Sequence, residues 1–236
     1  GGGTIALNAS TSYILIEPVI MTAPFLSVGA SVIFDGSGYT ITMNATLPFQ
    51  GLFSAAVTVS NLGVLPGTST SANYAGWFFQ QAIVNSSATN CYSTGAIGSG
   101  GGGIFGYNSS GTATNCYSTG AIGALGGGGI FGQQSLGGTA TNCYSTGPIG
   151  GGGGIFGQGS SGTATNCYST RASGQFGGGI FGYYSSGTAT NCYSTGDIGN
   201  LGGGIFGYGS SGTATNCYTT GILGIDAGPF FGYDST

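Results

Sequence analysis

Six cysteines, at positions 91, 116, 143, 167, 192 and 217, are the residues of this chain whose chemistry could hold a metal, form crosslinks or supply a nucleophile. Their separations are 25, 27, 24, 25 and 25 residues. There is no Cys-x-x-Cys pair and no His, so the spacing fits no metal-ligand pattern. Two readings stay open. In one, Cys91, Cys116, Cys143, Cys167, Cys192 and Cys217 form a column of small buried thiols. In the other, neighbours are crosslinked as Cys91–Cys116, Cys143–Cys167 and Cys192–Cys217. In-register cysteines on adjacent parallel strands place their Cα atoms about 4.8 Å apart, inside the disulfide range of roughly 4.4–6.8 Å. Their parallel Cβ vectors leave the Cβ atoms slightly beyond the usual separation of roughly 3.5–4.5 Å.

Acid–base chemistry has little to draw on. The acids are Glu17, Asp35, Asp197, Asp226 and Asp234, scattered along the chain, and the single cation is Arg171. Polysaccharide lyases and hydrolases built on β-helices need clustered carboxylates, often with a basic partner, in one groove. Asp226 and Asp234 lie eight residues apart with no His or cation near them in sequence, and Asp35 before Gly36 reads as a turn residue. The glycine runs are not followed by Gly-Lys-Ser or Gly-Lys-Thr, so they read as corners rather than phosphate loops. The expectation is a non-enzyme without metal or cofactor. One cation also excludes binding to nucleic acid by counterion release, and attachment to anionic lipid through basic residues. The apolar run 14–20 is interrupted by Glu17 and Pro18, well short of a membrane span.

What must position the cysteines is a repeat of about 25 residues. Written out from 111 to 132 it is Gly-Thr-Ala-Thr-Asn-Cys-Tyr-Ser-Thr-Gly, then Ala-Ile-Gly, a glycine run, and Ile-Phe-Gly. Short β-branched segments between glycines disfavour helix and predict the coils of a solenoid. The 54 glycines lack a Gly-X-Y period, and 40% hydrophobic residues supply a core, so neither collagen nor disorder fits. The fold expected is all-β: a right-handed parallel β-solenoid, or β-helix, of about eight coils stacked about 4.8 Å apart. Residues 1–31 read as an N-terminal cap or irregular first coil, 32–89 as degenerate coils, and 90–236 as the regular array. The first region holds short runs such as 4–7 and 13–16, split by Pro18 and Pro24. In the second, Ile33, Tyr39, Ile41 and Met43 are expected inside. Ser60-Asn61-Leu62 there stands where Thr-Asn-Cys stands later.

Stacking in register predicts columns. Asn90, Asn115, Asn142, Asn166, Asn191 and Asn216 should form a ladder of side-chain amides at one corner. Tyr92, Tyr117, Tyr144, Tyr168, Tyr193 and Tyr218 should form an aromatic column, with Ala113, Ala140, Ala164, Ala189 and Ala214 facing inward. Successive strand residues point to opposite faces, so one column of the Ile-Phe pairs, such as Phe105, Phe131, Phe156, Phe181 and Phe206, points outward unless a corner turns both inward. An outward column is an apolar stripe for packing between copies. The pairs Thr112 and Thr114, Thr139 and Thr141, Thr163 and Thr165, Thr188 and Thr190, and Thr213 and Thr215 make a lattice of hydroxyl and methyl groups. That lattice resembles the ice-binding face of some solenoid antifreeze proteins, or is an ordinary solvated β face. Tyr side chains and Trp77 offer platforms for sugar rings if exposed.

The repeat Gly-Gly-Ile-Phe-Gly-Tyr with Ser-Ser-Gly-Thr-Ala-Thr-Asn-Cys-Tyr-Ser-Thr-Gly resembles the GLUG-motif repeats of large bacterial surface proteins and adhesins, and similar repeats in other microbial and viral proteins. The lead-in segments 34–41 and 60–64 share the likeness, which covers roughly residues 32–234. It implies a β-solenoid displayed at a surface as a stalk or adhesive element. The expectation is therefore an extracellular or surface protein, at a cell envelope or virion surface, structural or adhesive. Its partners are expected to be copies of itself, joined into a fibre or array through solenoid ends or the apolar stripe, and a cell-surface or glycan receptor. Ice binding and carbohydrate binding are the alternatives. The opening Gly1-Gly2-Gly3 without Met reads as a processed product or a fragment, and sequons stand at Asn8, Asn44, Asn85 and Asn108.

Overall fold

The computed structural model describes residues 5–23, 25–29, 31–45 and 48–236, so Thr4 and Pro24 of the expected first coil lie outside the described residues. Among the described residues there is no helix, and hence none long and apolar enough to cross a membrane. Short strands stack into two parallel nine-stranded sheets. One sheet runs from Ser12–Ile14 through Val32–Asp35, Val57–Ser60, Ser86–Thr89, Gly111–Thr114, Thr139–Thr141, Thr163–Thr165 and Thr188–Thr190 to Thr213–Thr215. The other runs from Val19–Met21 through Thr40–Met43, Gly63–Leu65 and Tyr92–Ser93 to Tyr218–Thr219. Nine levels make a β-solenoid of about eight turns at a spacing of about 25 residues.

Register is fixed by identity. Thr112, Ala113 and Thr114 pair with Thr139, Ala140 and Thr141, and these with Thr163, Ala164 and Thr165. Single-residue bridges add further ladders to the coil, through Ile97, Ile122 and Ile149, through Gly102, Gly128 and Gly153, and through Phe105, Phe131 and Phe156. The Phe ladder runs back through Phe79 and Phe53 to Leu26, whose strand Leu26–Val28 pairs with Ile5–Leu7. The strands Ser12–Ile14, Val19–Met21 and Leu26–Val28 thus join the stack as its first coil, with Ile5–Leu7 paired beside the last of them.

The core is a bundle of columns along the solenoid axis. Phe rings from Phe105 to Phe206 stack face to face at 4.5–4.8 Å, and Ala113, Cys116 and Ile130 are buried beside them. In the early coils Val32 and Phe34 are buried, and with them Ile41 and Met43. Ile33 is 51% and Tyr39 37% exposed, which corrects the expectation that both point inward. With Val32 and Phe34 on one face, the alternation of the strand sends Ile33 to the other.

Glycine is required where two walls of the coil meet. A β-carbon on Gly129 would run into the Gly154 carbonyl and the Ser145 β-carbon, and the same contact recurs between Gly154 and Ser169. The serine column of the second sheet packs directly on the backbone opposite.

Candidate functional site

Cys91, Cys116, Cys143, Cys167 and Cys192 are fully buried, Cys217 is half-buried in the last coil, and all six are free thiols. The crosslinked pairing is thereby corrected. The thiols turn to carbonyl oxygens rather than to one another: Cys143 Sγ donates to Thr141 O at 3.4 Å and to Ala113 O at 3.5 Å. The neighbouring Cys143 thiol, together with burial, pushes Cys167 up to about 12. These are structural thiols, well above the range in which a thiolate attacks.

The Asn corner forms a continuous chain of amides. Asn115 Nδ2 donates to Asn90 Oδ1 at 3.0 Å, Asn142 to Asn115 at 3.1 Å, and Asn166, Asn191 and Asn216 continue it. Each of these residues is left-handed, with φ between 52° and 55°, a conformation Asn tolerates better than other side chains. The ladder extends further back than the repeat, from Asn90 to Asn61 and from Asn61 to the Asp35 carboxylate at 3.0 Å. Asp35 also accepts from Ser37 N, and these bonds hold its carboxyl below the ordinary range. It starts the ladder, which its turn context in the sequence does not reveal. A second ladder went unread: the Ser135 amide donates to Ser160 Oγ, Ser160 to Ser185 and Ser185 to Ser210, at 3.1–3.3 Å. Its signal is the first serine position of the loop, recurring at Ser109, Ser135, Ser160, Ser185 and Ser210 with about the period of the cysteines.

The Ile-Phe pairs do not form a surface. Phe105, Phe131, Phe156, Phe181 and Phe206 are all 0% exposed, as are Ile104, Ile130, Ile155, Ile180 and Ile205, so the outward stripe is corrected to a double inward column. Glycines on both sides let the corner turn each residue inward. Trp77 is also 0% exposed, its Nε1 donating to Ala96 O at 3.1 Å, so it is not a platform for sugars. The threonine and tyrosine columns do reach solvent. Thr112, Thr163, Thr188 and Thr213 are exposed and Thr139 half-buried, while Thr114, Thr141, Thr165 and Thr190 are half-buried and Thr215 exposed. On the other sheet Tyr92, Tyr117, Tyr144, Tyr168, Tyr193 and Tyr218 stack at 4.8–5.0 Å with planes within 5°.

The acids stay apart. Asp197 Oδ1 accepts from the Ile222 amide, and Asp234 from the Tyr208 hydroxyl. Among the described residues no three His, Cys, Asp or Glu side chains are grouped to hold a metal. One open recess of about 430 Å³ lies on the loop side, lined by Ala124, Leu125, Gly151, Gln175, Phe176, Tyr183, Tyr184 and Tyr208.

No protein-family model matches the chain. No curated protein matches it either. Among solved structures it is similar to the crystal structure of "a putative immunoglobulin A1 protease from Bacteroides ovatus". The identity is 21%, over 87% of this chain and 77% of that one, with a TM-score of 0.50. At that identity the likeness concerns the fold alone.

Proposed function

We propose that this chain is a non-enzymatic structural or adhesive element of a cell-envelope or virion surface, a solenoid of the kind its GLUG-like repeats suggest, joined end to end with copies of itself. The observation that carries this reading is the continuity of the ladders: Phe, Cys, Tyr and Asn columns run in register from one regular coil to the next. In the last coil the strands Thr213–Thr215 and Tyr218–Thr219 have a partner on one side only among the described residues. Side chains of columns buried in earlier coils surface there, with Leu223 and Phe230 each 40% exposed and Cys217 and Ala214 half-buried. A parallel edge over an apolar floor accepts another coil, whether from this chain or from a second copy. Burial of the Phe columns removes the apolar stripe and keeps the solenoid ends as the route this proposal uses.

The test is negative-stain microscopy and light scattering of the purified chain across concentration. Rods that lengthen in multiples of one unit are expected, and Leu223→Lys with Phe230→Lys should return them to single units. Monomers at all concentrations sink end-to-end assembly. A second reading, ice binding, is favoured by one observation: two threonine columns lie in register over five levels and face solvent. Thermal hysteresis of the same sample decides it, and its absence removes that reading.

A further inference from the structure

The recess on the loop side arises from a difference in loop length. Ile122 pairs with Ile149 and that with Ser173, while Gly128 pairs with Gly153 and that with Gly178. Past the glycine that follows each of the first set, the chain reaches the second set through residues 124–127 in one coil, 151–152 in the next and 175–177 in the one after. The middle coil therefore has the shortest loop, built only of Gly151 and Gly152. Its neighbours overhang it, Leu125 from one side and Phe176 from the other, with Gly151 at the floor.

Aromatic rings line the recess, and two of them stand at left-handed turn positions that recur along the stack. Tyr184 has φ 56°, in a column that holds Asn108, Gln134 and Asp234 in other coils and Gly159 and Gly209 in the two adjacent ones. Phe176 has φ 65°, also left-handed. Tyr184 lies over Gly209, where a β-carbon would strike its ring. Tyr184 and Phe176 each meet Tyr208 edge-on, at 5.6 and 5.4 Å between ring centres, and Tyr183 meets Tyr184 at 5.4 Å. This leaves Tyr184 57% and Phe176 36% exposed, facing the cavity rather than sealing it.

The lining selects a ligand class. It holds no carboxylate and no cation, so a charged ligand finds no counter-charge. It offers apolar ring faces beside hydroxyl and amide groups, from Tyr183, Tyr184, Tyr208 and Gln175. Burial, followed by the neighbouring Tyr184 hydroxyl, raises Tyr183, which keeps its phenol a neutral donor. A volume of about 430 Å³ falls in the small-ligand range. A ligand with both C–H faces and many hydroxyls, and no charge, matches this wall.

We propose that this recess binds a neutral mono- or disaccharide, a sugar ring seated on Tyr184 and Phe176 with its hydroxyls on Gln175 and Tyr208. The site supplies the contact that the adhesive part of the proposed function requires, and it does not depend on end-to-end assembly. The test is saturation-transfer NMR and titration calorimetry of the full chain with maltose, cellobiose, lactose and chitobiose, and with a glucuronate-containing disaccharide for comparison. Binding of at least one neutral sugar is expected, with transfer to its ring C–H protons. Tyr184→Gly with Phe176→Gly should weaken it about tenfold or more. The same double variant should keep or raise the thermal midpoint, because it relieves two left-handed positions, so lost binding is not lost folding. Failure of all four neutral sugars, preference for the charged one, or binding unchanged in the double variant overturns the site. None of these outcomes bears on rod formation, which microscopy reads separately.

Discussion

A thiol surrounded by apolar columns and other thiols keeps its proton, and that sets what the six cysteines do. Cys167 donates to Ala140 O and Thr165 O at 3.5 and 3.3 Å and is pushed up to about 12. Iodoacetamide at pH 8 should therefore modify Cys217 alone in the folded chain, and all six after denaturation, as peptide mapping will read. Modification of Cys143 or Cys167 in the native protein contradicts the column. The serines beside them make a sharper case. Ser93, Ser118, Ser145 and Ser169 bury hydroxyls with no partner among the described residues. Burying an unpartnered hydroxyl costs on the order of 1–3 kcal/mol, so Ser145→Ala is expected to stabilise the fold by about 1 kcal/mol in urea unfolding. Gly129→Ala, across the same contact, should destabilise by several times that, because its β-carbon meets the Gly154 carbonyl. A destabilising Ser145→Ala would mean that the hydroxyl has a partner.

A ladder is worth more than its separate bonds because each Asn serves two neighbours and one backbone turn. Asn166 donates to Asn142 and accepts from Asn191, both at 3.1 Å, with φ 54°. Asn166→Ala loses both bonds and puts a plain β-carbon in the left-handed region, whereas Asn166→Gly loses the bonds and eases the backbone. Destabilisation of about 2–3 kcal/mol for Ala and about 1 kcal/mol less for Gly is expected from urea midpoints. Equal effects would show that the turn, not the residue, sets the corner. The Asn and Cys columns are legible in the sequence because identical residues recur at one period, and stacking turns period into contact. The inward or outward sense of the Ile-Phe pairs is not legible, since glycines on both sides break the alternation that would decide it. Ile33 failed for a related reason: with Val32 and Phe34 also apolar, the run gives no polar residue from which to count faces. The recess is the least legible feature, because it depends on a loop being shorter than both neighbours and on rings from two successive coils.

At the scale of the whole solenoid, the columns share one response to alkali. Beside Cys167, Cys116, Cys143 and Cys192 are raised, with neighbouring thiols and burial as causes, and Tyr117, Tyr168 and Tyr193 are raised by burial first and then by stacked neighbours. In the unfolded chain a thiol loses its proton near pH 8.5 and a phenol near about pH 10. The folded state then holds more protons than the unfolded one, so stability falls as pH rises. The contribution is complete below about pH 8.5 and is lost progressively toward the folded value, about 12 for Cys167. Each fully buried thiol contributes up to about 1.4 kcal/mol per pH unit in that window. Urea midpoints should therefore be level from pH 6 to 8, decline above 8.5, and steepen above 10 as the tyrosines join. Replacing Cys143 and Cys167 together by Ala should make the decline shallower between pH 8.5 and 10 without moving the level region's slope. A midpoint that stays level to pH 11 contradicts a stack held by buried protonated columns. With one Lys or Arg and five acids in 236 residues, few charges remain to offset that dependence.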